Sequence, residues 1–172
     1  MSIWLLGAFL TTFLLSGVCM ADEAPGYQIY LQGSDSTLTE GANNMTVLTI
    51  NDTIPYAVYL LNKSFVRPID TILPTINGSI NAAIVISGVD GETTSIVQVS
   101  NPVYSAGTNV LMLDVEPLTY YEGTVLKNFS DEEQNMTPDK IGKVVMTRVY
   151  LENHQKAPEN TGICPGNYDY CI

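Results

Sequence analysis

The stretch that most constrains this chain is 143–151, where Val145, Thr147, Val149 and Leu151 alternate with Val144, Met146, Arg148 and Tyr150. Residues two apart share one face of a strand, whereas a helix gathers residues three and four apart. β-Branched and aromatic side chains fill both sets, as a pleated surface favours. No hairpin neighbour follows the stretch, so its partners are remote in sequence, and the chain must build a sheet from distant segments.

Short runs rich in Val, Ile, Thr and Tyr recur along the rest of the chain. They predict strands at 27–32, 45–50, 55–61, 82–87, 95–101, 109–116 and 120–126, which with 143–151 makes about eight. Between 82–87 and 95–101 lies Gly88-Val89-Asp90-Gly91-Glu92, a hairpin signal because Asp and Gly tolerate tight-turn geometry. A second hairpin is expected through residues 51–53, with Pro55 opening the next strand where a missing donor does least harm. Regular turns without intervening helices predict an all-β, antiparallel two-sheet sandwich of immunoglobulin-like or jelly-roll type. The Cys-Trp-Cys core of antibody domains is absent, since the one tryptophan is Trp4. One helical turn is expected from Ser130, which has capping-box spacing to Glu133.

The first residues form an apolar stretch through Val18 that exits on Cys19-Met20-Ala21. Small residues Cys19 and Ala21, at the two positions a signal peptidase reads, make 1–21 a signal peptide, with Asp22 as the new N-terminus. An uncleaved anchor is the alternative, because the apolar run approaches the length of a spanning helix, and no Lys or Arg precedes it. The expected organisation is then a leader at 1–21, a β-sandwich domain at 22–151, and a polar linker with a C-terminal cysteine loop at 152–172.

Every charged residue follows Ala21, so the exported part carries the whole formal charge of −11. Such a surface repels phosphate backbones and anionic lipid, which argues against nucleic acid and membrane-surface partners. With Cys19 in the leader, Cys164 and Cys171 remain, and an exported pair this close is expected to form a disulfide. Loop entropy values such a short bridge at about 2.5 kcal/mol, enough to pin a tail but not to staple distant parts.

The acceptor pattern Asn-x-Ser/Thr occurs at Asn44, Asn51, Asn62, Asn77, Asn128 and Asn135, with no proline in a middle position. Most fall at or beside expected turns, where a bulky glycan has room. Turn chemistry alone also favours Asn, Ser and Thr, which is the plain alternative.

Other constellations are weaker. Asp131, Glu133 and Asp139 offer oxygen ligands of the kind calcium takes, but fit no EF-hand spacing. Asp114, Glu116 and Glu122 form a second acidic group that reads equally as polar strand edges. Tyr56, Tyr59, Tyr104, Tyr120 and Tyr121 could make a sugar-stacking or protein-binding face, or simply pack half-buried against the sheet. No catalytic motif is present, and His154 is the single histidine, in what reads as linker.

These features predict a secreted or surface-displayed, N-glycosylated structural or interaction protein rather than an enzyme. Its partner would be another extracellular protein or a copy of itself. The strand at 27–32, freed by leader cleavage, suggests assembly by adding to a neighbour's sheet. The alternative is an extracellular sugar- or calcium-binding module; no cofactor is otherwise implied.

Overall fold

The computed structural model describes residues 26–41, 45–60, 64–130 and 143–155. Nine strands follow one another: β1 (Tyr27–Gly33), β2 (Ser36–Glu40), β3 (Thr46–Ile50), β4 (Tyr56–Leu60), β5 (Phe65–Pro68), β6 (Ile80–Gly88), β7 (Glu92–Ser105), β8 (Val110–Pro117) and β9 (Val144–Asn153). All belong to a single sheet in the order β2-β3-β8-β7-β6-β9-β1-β4-β5. Every pairing is antiparallel. The all-β, antiparallel class therefore stands, while the ladder is one continuous open sheet and not two separate ones.

The sheet cannot lie flat. β1 and β2 are six places apart in its order, about 29 Å at ordinary strand spacing, yet three chain steps from Gly33 to Ser36 span only about 11 Å. The sheet must curl until β2 returns beside β1 and β9, and Thr147 of β9 accordingly hydrogen-bonds Ser36 of β2 at 2.7 Å. The device behind the curl is one long bent hairpin. Its outer half pairs β2 with β3 and its inner half pairs β1 with β4, and both strands bend together at residues 33–35 and 51–55. Backbone bonds Ser34 N–H to Asn51 O (2.9 Å) and Ile54 N–H to Gln32 O (2.8 Å) hold the bend. Residues 51–53 therefore form a corner and not the expected β3–β4 hairpin, because β3 and β4 go to opposite ends of the sheet. Asp52 adopts a left-handed φ of 46° there, a conformation Asp tolerates better than most residues.

Alternation explains the core. In β1 the buried positions are Tyr27, Ile29, Leu31 and Gly33; in β8 they are Leu111, Leu113 and Val115. Their side chains join Leu48, Ile84, Val97, Val149 and Leu151 in one cluster inside the curl. Residues 69–75, a helical turn α1 (Ile69–Ile72) followed by a 3-10 turn, bury Ile69, Ile72 and Leu73 in the same cluster. Each such side chain, fully buried, is worth about 1.5–3 kcal/mol of transfer free energy.

The expected hairpin at Gly88–Glu92 is present, closed by Gly88 N–H to Gly91 O at 2.8 Å. β7 runs well past the expected 95–101 because a bulge between Ser100 and Val103 lets it continue. Asn101 takes φ 48° at the bulge, and Pro102 sits where no ladder donor is required. Two strands were not anticipated, β2 and β5; Ser36-Thr37-Leu38-Thr39-Glu40 is largely polar, and Phe65–Pro68 is only four residues long. The segment 120–126, expected as a strand, is a loop leading into a short turn α2 (Lys127–Ser130). Its apolar residues point at the outer face of the sheet instead of pairing with it: Tyr121 and Leu126 pack with Ala83 and Ile96, flanked by Phe129 and Tyr150, in a second, smaller core. β6 is thus covered on both faces, and Ala82 to Ile86 are buried without a break. The expected helical turn beyond Ser130 lies outside the described residues.

Candidate functional site

Beside that smaller core a row of polar side chains crosses four neighbouring strands on the outer face. Registers pair Gln98 of β7 with Asn81 of β6, and Gln28 of β1 with Glu152 of β9; Ala82 opposite Leu151 brings Asn81 beside Glu152. Alternation produces this row, since Gln98, Asn81 and Glu152 all stand one residue from inward-facing apolar positions. β9 runs through Asn153, so Glu152, expected at the start of a linker, is instead a strand residue only 4% exposed.

A buried carboxylate needs partners to offset its lost hydration, and Glu152 has three. Its Oε1 accepts from the Tyr121 hydroxyl at 2.8 Å and lies 3.0 Å from His154 Nε2, while its Oε2 accepts from Asn81 Nδ2 at 2.8 Å. The Tyr121 oxygen also accepts the Leu126 N–H at 2.9 Å, tying the covering loop to β9. Burial, chiefly, pushes the Tyr121 phenol up to about 12, with the Glu152 carboxylate adding to the rise against the Leu126 N–H. Gln28 Nε2 donates to Val125 O at 2.6 Å and closes the other side of the loop.

Next to the row, between the loop at 76–79 and residues 154–155, opens a cleft of about 500 Å³. Carboxamides dominate it: Asn77, Asn81, Gln98, Asn153 and Gln155, with Glu152 and His154 beside them and Ile76 and Ile80 as the apolar part. Carboxamides both donate and accept, so the cleft suits a neutral, polyhydroxylated or amide-bearing ligand better than an ion. His154 was expected to be isolated, and the tertiary fold gives it a carboxylate neighbour. Among the described residues Glu152 is its only hydrogen-bond partner.

The sequon residues divide. Asn77 is exposed, and Gly78 at φ 78° turns the chain beside it. Asn128 is exposed in α2. Asn51 is half-buried at the corner, where its Nδ2 donates to Asp35 Oδ2 at 3.3 Å and Thr53 of the same sequon is buried. A hydrogen bond from Ser34, together with that one from Asn51, holds the Asp35 carboxyl below its usual range. Asn44, Asn62 and Asn135 lie outside the described residues, as do Cys164, Cys171, the leader, and the calcium candidates Asp131, Glu133 and Asp139.

The five tyrosines do not form one face. Tyr59 lies in the main core, 5.7 Å from the Tyr27 ring and 4.5 Å from Phe65, and Tyr121 lies in the smaller one. Tyr56 and Tyr120 are exposed, and the half-buried Tyr104 donates to Asn109 Oδ1 at 2.8 Å. Asp114 accepts from Asn101 Nδ2 at 2.8 Å across the β7 bulge, while Glu116 and Glu122 are exposed. No group of three His, Cys, Asp or Glu among the described residues is placed to hold a metal ion. No helix among them is long and apolar enough to cross a membrane.

Fold and site together define an all-β protein with a curled antiparallel sheet and a carboxamide-lined cleft. No family model, no curated protein and no solved structure matches the chain.

Proposed function

We propose that the chain is an exported, N-glycosylated structural or interaction protein, secreted or displayed at a cell surface, and not an enzyme. The observation that carries this reading is the position of its acceptor asparagines: the three among the described residues, Asn51, Asn77 and Asn128, all lie outside strands. Loops and turns give a bulky sugar room that a packed sheet face does not. The acidic charge of −11 and the leader-like start support export and solubility without phosphate or lipid partners.

We also read the curled sheet as a sandwich, with β2, β3 and β8 facing β9, β1 and β4 and joined through β7 and β6. The support is the single inner cluster that unites Leu48 and Leu113 with Ile29 and Val149. Assembly by strand addition moves to a different place in this reading. β1 has both edges paired, to β9 and β4, and is no free donor; β2 and β5 are the edges of the sheet. An extracellular sugar-binding module is the second reading, favoured by the carboxamide cleft.

The test is the intact mass of protein secreted by a eukaryotic host, measured without reductant before and after enzymatic removal of N-linked sugars. A polypeptide starting at Asp22, carrying several glycans and lacking two hydrogens, is the expected result. A bare mass that retains Met1 overturns the exported glycoprotein.

A further inference from the structure

We propose that the cleft beside the Glu152 row is the seat of the N-acetylglucosamine core of a glycan carried on Asn77, so that the sugar packs on the protein as part of its fold. This rests on the reading of Asn77 as a glycosylated residue and adds where its first sugars lie. Asn77 is exposed and is itself one wall of the cleft, which places an Nδ2-linked sugar at its mouth. The volume of about 500 Å³ falls within the ~300–1,000 Å³ usual for small-ligand sites. Gln98, Asn153 and Gln155 also line it, able to donate to and accept from hydroxyl and acetamido groups, while Ile76 and Ile80 offer an apolar part to a sugar ring face. Glu152 and Asn81 are bonded to each other, but the Gln98 amide makes no hydrogen bond to any described residue, so it is open to a ligand. His154 is the one cleft side chain able to carry positive charge, and a strongly acidic chain disfavours an anionic ligand.

The experiment uses the full chain secreted from a glycosylating eukaryotic host, with Asn77 occupancy read by glycopeptide mass mapping. Four proteins are compared by thermal unfolding: wild type, Ser79→Ala, which removes the acceptor while keeping Asn77, Gln98→Ala, and the double variant. Seating predicts that S79A and Q98A each lower the midpoint by about 2–4 °C, and that the double variant falls no further than either single one. Wild type trimmed enzymatically to one N-acetylglucosamine keeps the wild-type midpoint. If Asn77 is occupied but Q98A costs the same with and without the glycan, the seat is wrong and the glycoprotein reading survives. If Asn77 is unoccupied while other acceptors carry sugar, both the seat and the assignment of Asn77 fall. Titrating that protein with di-N-acetylchitobiose then shows whether the cleft takes the same sugar from a separate molecule.

Discussion

Glu152 and Tyr121 are where single residues matter most outside the main core. The Tyr121 hydroxyl donates to a buried carboxylate and accepts a backbone N–H, so it serves two buried groups at once. Tyr121→Phe keeps the ring but leaves the Leu126 N–H without its partner and takes one of three partners from Glu152, and should cost about 1–3 kcal/mol in chemical denaturation. The phenol also links stability to pH. Burial raises both Tyr121 and Tyr59 from 10.0 to about 12, so their neutral forms favour the folded state. That contribution is complete below pH 10 and is lost as pH rises through about 12, the unfolded chain releasing its protons first. Denaturation midpoints measured across this alkaline window should fall, and Y121F should fall less steeply than wild type. By local pattern alone Tyr121 is a half-buried strand residue and Glu152 the start of a linker. Their pairing spans 31 positions, and nothing local signals it.

Among the elements, β9 was legible over residues 146–151, where its alternation holds, and it sits between β6 and β1 as a central strand must. At its start the register shifts beside Gly88, so that Val144 packs on the core and Val145 is exposed, and its last two residues read as linker. Leu151→Ala empties a fully buried site and should cost about 2–5 kcal/mol, whereas Val145→Thr, at the exposed start of the same strand, should stay within about 0.5 kcal/mol. The bent hairpin was not legible. Its corner depends on Gly33, where a Cβ would stand 2.4 Å from Ile50 Cγ2 and 2.8 Å from the Asn51 carbonyl oxygen. Part of that clash is with backbone, which cannot swing away, so Gly33→Ala should destabilise by about 1–3 kcal/mol by calorimetry. β2 and β5 escaped notice for a shared reason. Edge strands are half solvated, so a polar or very short run suffices and the apolar pattern that reveals interior strands is missing. The segment 120–126 failed in the opposite direction: it carries strand-like residues because it packs against a sheet, without belonging to one.

At the scale of the whole molecule, the fold is dominated by contacts between distant segments, and removing β1 tests this. Deleting residues 27–33 strips a strand paired on both sides, together with Ile29 and Leu31 from the core. The product should show no cooperative thermal transition, rather than a folded monomer that merely fails to assemble. A folded, soluble truncation with an unchanged transition would instead mean that the segment is an appendage.

By itself, the sequence determined that the chain is all-β, where seven of its nine strands run, and where its acceptor asparagines lie. These are local properties, set by side-chain period and turn chemistry within a few residues. Only the tertiary structure decided the strand order, the curl that brings β2 to β9, and the grouping of Asn77, Gln98, Glu152 and His154 at one end of the sheet. Strand pairing is chosen by complementarity between whole faces remote along the chain, and alternation says which face is buried but not which neighbour buries it.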